Sequence, residues 1–324
     1  MTRGRLCSTL PTPLSCVMLN ADRLDFDRRL NFDRLTAIAD LNRHASSDPA
    51  NPGQIAARVA GHHVVINKEM PMPREVIEAM APSVKLICEA GTGFNNIDLR
   101  AARERGIAVS NLPTYSTEAM AHMTITFVLA LSCSLGPQLQ ALHTGSQEHF
   151  AACHLGELPH FELSGKTIGL IGGLGTIGQR VAVIAHALGM RVLASSRTAP
   201  VGRRVDGIEV APLSELLSHS DFVSIHCPLN AQTRGLVDAA ALGRMKRSAF
   251  LINTARGAII DEPARPVGSE PSSQRDPSPV HRRIRAQSTE GSEPSPQTDP
   301  SRARIQIQLA PNLPQPRPPQ PHPP

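Results

Sequence analysis

Apolar residues recur along most of the chain in two rhythms: short runs of four or five, and longer stretches at helical spacing, divided by Gly, Pro, Asn and Asp. The short runs at 16–20, 63–67, 84–88 and 107–109 predict strands. Phe32, Leu35, Ile38 and Leu41 fall at helical spacing and predict a helix over 32–41; residues 73–80 predict a second, opening at its proline. Residues 116–135 predict a long helix, capped near Ser116 and Glu118 and so apolar that burial between layers is expected. Beyond it the pattern gives a strand, a glycine turn, an amphipathic helix and a second strand over 166–197. Helices near 213–218 and 239–245 then alternate with strands at 222–226 and 249–252. Strands alternating with helices imply parallel sheets covered on both faces.

The turn at 173–178 is the most specific local signal. Gly173, Leu174, Gly175, Thr176, Ile177 and Gly178 reproduce the G-x-G-x-x-G spacing between a strand and a helix. There one glycine makes the tight turn, one lets backbone approach a pyrophosphate, and one allows close helix packing; the helix N-terminus receives the phosphates. In such units a carboxylate about twenty residues on holds the ribose 2′-hydroxyl of NAD. Between Gly178 and Asp206 this chain has no Asp or Glu; Ser195, Ser196 and Arg197 stand at the strand end, with Arg203 and Arg204 close behind. A hydroxyl and a guanidinium suit a 2′-phosphate, so NADP(H) is expected ahead of NAD(H). A basic solvated loop is the alternative for those arginines.

Composition narrows the picture. The 324 residues have room for two domains, and a 40% hydrophobic fraction supports real cores. Of the 29 prolines, 16 lie from Pro263 onward, in a stretch without apolar periodicity, where disorder is expected. A net charge of +5 with 3% aromatics and no Trp argues against nucleic acid as a partner. The six cysteines, at 7, 16, 88, 133, 153 and 227, form no C-x-x-C pair and read as reduced thiols, with no disulfide framework and no metal site. No apolar run reaches the roughly twenty residues a membrane span needs. The first twenty residues hold arginines and no acid, as an organelle presequence does, but the default compartment is the cytoplasm.

Five segments in order carry a resemblance: Gly91-Thr-Gly-Phe-Asn-Asn-Ile-Asp98, Asn111-Leu-Pro-Thr-Tyr-Ser116, the 173–178 turn, His226-Cys-Pro-Leu229 with Thr233, and Asn253-Thr-Ala-Arg-Gly257 leading to Asp261-Glu262. With them the chain resembles the D-2-hydroxyacid dehydrogenases, in particular the hydroxypyruvate, glyoxylate and glycerate reductase branch, over about 16–262. The resemblance implies an α/β protein: a Rossmann-type doubly wound parallel sheet at 113–262, a smaller flavodoxin-like α/β substrate domain at 1–112, and a disordered tail at 263–324. It implies that Ala90, Gly91, Thr92 and Gly93 offer backbone N–H groups to a substrate carboxylate. Thr124, Ser196, Arg197, Cys227, Pro228, Thr233, Thr254, Ala255 and Arg256 would line the nicotinamide cofactor together with the glycine turn. Arg256 would also be the catalytic arginine, gripping a 2-keto acid at two points as a lysine could not. His122 stands where the family usually has an acid and is assigned no role. The partner expected is a small 2-keto or 2-hydroxy acid, and residues 135–161 are the candidate arm of a homodimer.

The family's proton donor is a histidine kept basic by a carboxylate, and both would follow Glu262. This chain continues instead with Arg265-Pro-Val-Gly-Ser-Glu270 and a Pro-, Ser- and Arg-rich run, in which His281, His322, Glu270, Glu290 and Glu293 stand in no comparable setting. So abrupt a change favours a frameshift, retained intron or faulty gene model over an evolved tail, which transcript sequencing across 262–271 tests. Two functions therefore stand open at this point: an NAD(P)-dependent reductase of 2-keto acids, and an inert NAD(P)-binding or interaction protein whose Pro316-Arg-Pro-Pro319 segment docks on aromatic grooves.

Overall fold

The computed structural model describes residues 14–143, 158, 160–261 and 307–308. The chain divides into two compact units between Ser116 and Thr117.

The first unit is a five-stranded sheet, β1 (Leu14–Met18), β2 (Ala39–Arg43), β3 (Val64–Asn67), β4 (Leu86–Glu89) and β5 (Ala108–Ser110), in the order β2-β1-β3-β4-β5 with every pair parallel. That is the flavodoxin-type doubly wound order. Its helices are α1 (Ala21–Leu24), α2 (Asp33–Thr36), α3 (Pro52–Val59), α4 (Arg74–Ala79) and α5 (Leu99–Glu104). Ile55, Val59, Val76, Ile77 and Ala101 pack from the helices onto Val17, Val65 and Ile87 of the strands. Side-chain caps start two helices: Asn51 accepts from Gln54 N, and Asp98 accepts from Ala101 N.

One expectation fails here. The helix predicted over 32–41 is a single turn, α2, followed by the edge strand β2. The spacing of Phe32, Leu35, Ile38 and Leu41 is shared between two short elements, and Ile38, expected on the buried face, is 69% exposed. Pairing with β1 in register Leu14↔Ala39 overrides the local helical pattern.

The second unit opens with α6 (Thr117–Ser132) and α7 (Leu135–His143) and is built on β6 (Thr167–Ile171), α8 (Thr176–Ala187), β7 (Arg191–Ser195), the hairpin β8 (Arg204–Val205) and β9 (Ile208–Val210), α9 (Leu213–His219), β10 (Phe222–Ile225), α10 (Ala239–Arg244) and β11 (Phe250–Asn253). A short 3₁₀ turn follows at Gly257–Ile259. The strand order is β12-β11-β10-β6-β7-β9-β8, β12 being Ile307–Gln308. Chain order turns back at β6, the arrangement of a dinucleotide-binding sheet. Pairing is parallel except within the β8–β9 hairpin, which sequence periodicity did not reveal.

Period-2 alternation divides this sheet between two cores. Ile168, Leu170, Val192, Ala194, Phe222 and Ile252 face α6 and α8, whereas Ile171, Leu193, Val223, Ile225 and Leu251 face α9 and α10. Phe222 stacks on Phe250 at 5.4 Å between ring centroids. The long helix stops at Ser132, and Ser134, with a φ of +52°, turns the chain into α7. It is buried on one face only: Ala121, Thr124, Ile125 and Val128 are covered, while Met123 and Leu129 are 38% and 44% exposed. No described helix is long and apolar enough by itself to cross a membrane. The disorder expected over 263–324 lies outside the described residues, apart from the β12 pairing of Ile252↔Ile307 and Asn253↔Gln308.

Candidate functional site

In the second unit the chemistry gathers at the carboxyl ends of β6, β7, β10 and β11, where open parallel sheets bind ligands. Leaving β6, Gly172 has φ +83° and donates its N–H to the Ser195 carbonyl at 3.1 Å. A Cβ on Gly173 would stand 2.6 Å from Leu170 Cβ and 2.8 Å from Ala194 Cβ. One on Gly178 would stand 2.6 Å from Gly173 Cα, so these two glycines let the loop and α8 pack closely. Gly175 differs. Its Cβ would meet only the Gly172 carbonyl at 3.3 Å, and it is the N-cap of α8, with no side-chain cap. The first-turn N–H groups beside Thr176 and Ile177 therefore lie behind an open cradle at the positive end of a helix dipole, and Leu174 packs its side chain against the core. The donor set fits a pyrophosphate, and the cradle is one that side-chain atoms would fill.

At the end of β7, Ser196 Oγ accepts from the N–H groups of Thr198 and Ala199 at 3.2 and 3.3 Å, shaping the loop that carries Arg197. The Arg197 guanidinium donates to Gln232 Oε1 and lies near enough to Cys227 to favour its thiolate. Burial outweighs this and pushes the Cys227 thiol up, so it stays protonated. Arg204 pairs with Glu209 at 3.5 Å and Arg191 with the same carboxylate at 2.9 Å, whereas Arg203 is exposed.

At β10, His226 Nε2 lies 3.0 Å from Ser224 Oγ. Partly accessible but densely surrounded, its imidazole is pushed down to about 4 by burial, and is neutral at pH 7. Pro228 and Thr233 close the next loop: buried Thr233 Oγ1 donates to the Pro228 carbonyl at 2.6 Å and accepts from Asn230 N at 2.9 Å. At β11, the Asn253 amide folds over the turn, donating to the Arg256 carbonyl at 2.9 Å and accepting from Ala255 N at 3.0 Å. Arg256 Nη1 donates to the Ala255 carbonyl at 3.0 Å. Thr254 Oγ1 reaches buried Thr124 Oγ1 on α6 at 3.3 Å. So Thr124, Thr254, Ala255 and Arg256 are gathered at one strand end.

The first unit carries a separate cluster after β4. Glu89, 1% exposed, accepts from Glu69 N at 2.8 Å, Asn67 Nδ2 at 2.7 Å and Asn96 Nδ2 at 2.9 Å. Such a buried carboxylate is tolerable because both of its oxygens accept hydrogen bonds, and it anchors the loop that follows. Sequence periodicity does not single it out, because one acid at the end of a strand carries no periodic signal. Ala90, expected to offer its N–H to substrate, spends it on the Asn67 carbonyl at 2.7 Å. The N–H groups of Gly91, Thr92 and Gly93 donate to no described residue, while Thr92 Oγ1 donates to the Leu112 carbonyl at 3.0 Å and Asn111 Nδ2 to the Thr92 carbonyl at 2.8 Å. Asn111, Leu112 and Ser116 thus brace this loop, which gives the 111–116 segment a physical role. No group of metal ligands occurs among the described residues.

A doubly wound sheet with a glycine-lined helix N-terminus after β6 and an arginine after β11 has the form of a dinucleotide-binding α/β protein. The chain belongs to the D-isomer specific 2-hydroxyacid dehydrogenases: that family's NAD-binding domain matches residues 125–264. A hydroxypyruvate reductase of Blautia hydrogenotrophica is 33% identical over 233 residues, 72% of this chain and 72% of its own length. Among solved structures, an acyclic imino acid reductase in complex with NADPH and D-Arg superposes with a TM-score of 0.68 at 28% identity, over 78% of this chain and 77% of that one. A glyoxylate reductase from Paecilomyes thermophila gives 0.66 at 28% identity, over 79% and 77%.

Proposed function

We propose that the chain is a nicotinamide-dependent reductase of small 2-keto acids of the hydroxypyruvate and glyoxylate type, using NADP(H) ahead of NAD(H). The observation that carries it is the open cradle at Gly175 on the N-terminus of α8, with Arg256 held at the end of β11 by Asn253. The cofactor, when bound, supplies the hydride. The protein's part is to hold and orient. The α8 N-terminus takes the pyrophosphate, and Thr254 stands at the end of β11 backed by buried Thr124, whose hydroxyl donates to the Met120 carbonyl at 2.9 Å. Ser196 and Arg197, with no carboxylate beside them on β7, suit a 2′-phosphate. Arg256 takes a carboxylate and its neighbouring carbonyl oxygen by two parallel donors, raising the electrophilicity of the ketone carbon. In the first unit, the unspent N–H groups of Gly91, Thr92 and Gly93 suit the same kind of anion.

Reduction also needs a proton at the ketone oxygen. His226 is unsuited to give it, because its imidazole is already neutral well below pH 7. The described residues therefore account for binding and orientation. The test is NADPH oxidation by the purified chain with hydroxypyruvate and glyoxylate, run beside Arg256→Ala. Turnover that falls by two or more orders of magnitude in the variant supports the reading; turnover indifferent to Arg256 refutes its role. NADPH bound with background turnover only would identify a scaffold that binds without completing the reduction.

A further inference from the structure

One cation beside the Gly91 loop is not used in this scheme. Lys68 follows β3, and its backbone is clamped by an amide pair: its N–H donates to Asn20 Oδ1 at 3.0 Å, and Asn20 Nδ2 donates to its carbonyl at 2.6 Å. The next residue, Glu69, has φ +55°, a left-handed conformation that non-glycine residues seldom enter. The buried Glu89 carboxylate holds it there through the Glu69 N–H at 2.8 Å. Backbone held in a sparse region by a buried, hydrogen-bonded partner is a mark of a functional position. The backbone of Lys68 and Glu69 is thus held from both sides, by Asn20 and by Glu89. Lys68 Nζ stands 3.5 Å from the place a Cβ would occupy on Gly91.

The Lys68 side chain is 16% exposed, and its ammonium donates to Tyr115 Oη at 3.2 Å and lies 5.5 Å from the centre of that ring. Glu69 Oε1 is 3.4 Å away, but Arg23 shares that carboxylate at 3.2 Å, so two cations face one acid. The oxygens of Glu89 are occupied by three amide donors. An ammonium has three N–H donors, and Tyr115 and Glu69 engage two of them. The third has capacity for an incoming oxygen, next to a loop whose own N–H groups suit a carboxylate.

We propose that Lys68, positioned by Glu89 and Tyr115, is a specificity-determining residue. Its ammonium takes an oxygen on the third carbon of the substrate, and so favours 2-keto and 2-hydroxy acids in which that carbon carries a hydroxyl or is itself a carboxylate over those in which it is a methyl group. This rests on the 2-keto acid reading above.

The test is calorimetric titration of the full chain, saturated with NADP⁺, with tartronate, D-glycerate and D-lactate, in which that carbon is a carboxylate, a hydroxymethyl group and a methyl group. In Lys68→Met, tartronate and D-glycerate should bind about tenfold more weakly while D-lactate changes less than about twofold, and Lys68→Arg should recover most of the loss. Tyr115 is the chain's only tyrosine and there is no Trp, so its emission reports on this corner directly and should respond to tartronate but not to D-lactate. Unchanged far-ultraviolet circular dichroism confirms that the variants are folded. An equal loss for all three ligands, or for none, overturns the proposal while leaving the 2-keto acid reading intact. No binding of any of the three to the wild-type chain, with NADP⁺ still bound, overturns that reading and this inference with it.

Discussion

Two glycines in the same turn should fail in opposite ways when given one methyl group. In Gly178→Ala the new Cβ falls 2.6–2.8 Å from the Cα, C and O of Gly173, all backbone atoms that cannot swing aside. Relief requires α8 to lift from the loop, and α8 carries Val181, Ala182 and Ala185 in the core. Overpacking of this kind costs about 1–3 kcal/mol. For a unit of this size that lowers the midpoint of thermal unfolding by roughly 2–12 °C. In Gly175→Ala the Cβ meets only a carbonyl at 3.3 Å, and the backbone φ of −75° suits alanine, so stability should change little. That methyl instead stands at the rim of the cradle and should weaken NADPH binding by about tenfold or more, the loss of one close phosphate contact. Differential scanning calorimetry and NADPH titration of both variants separate the effects. Equal melting of Gly178→Ala and wild type, or undiminished NADPH binding by Gly175→Ala, would refute the division of labour between packing and ligand approach.

Other perturbations test other parts of the site. Glu89→Gln replaces one acceptor oxygen with a donor facing amide N–H groups, and should lower stability in urea denaturation by about 1–3 kcal/mol; an unchanged midpoint would mean that the network is not held by the carboxylate. His226 has its folded-state pKa depressed to about 4 by burial, so the unfolded chain takes up the proton first as pH falls. Stability should therefore be lost between about pH 6.5 and 4, and His226→Gln should flatten that slope in a pH series of melts. Arg197→Glu should reverse the cofactor preference toward NADH, read as the ratio of the two dissociation constants, because a carboxylate repels a 2′-phosphate and accepts from a ribose hydroxyl.

Most of the second unit was legible in the sequence, because parallel strands buried on both faces write themselves as continuous apolar runs and the glycine turn has a fixed mechanical purpose. Thr124, in the middle of α6, meets Thr254 beyond the end of β11, next to Ala255 and Arg256. The failures were local. Residues 32–41 carried a helical spacing that a strand register overrode, and α6 proved apolar beyond the face it buries. The β8–β9 hairpin turns at Asp206, left-handed at φ +49°, and Gly207 at +82°, too short a signal for periodicity to detect. Ala90 lost its expected role because its N–H belongs to the Asn67 carbonyl, a contact between strands distant in sequence. Buried Glu89 and left-handed Glu69 were invisible for the same reason: both are set by tertiary partners.

In the proposed function the α8 N-terminus binds a nicotinamide dinucleotide carrying a 2′-phosphate. Titration of the purified full chain with NADPH and NADH, followed by nicotinamide emission, tests it most directly. Saturable binding at one site per chain, tighter for NADPH, is the expected result; saturation by neither nucleotide would contradict the claim, and equal affinity would remove the role given to Ser196 and Arg197.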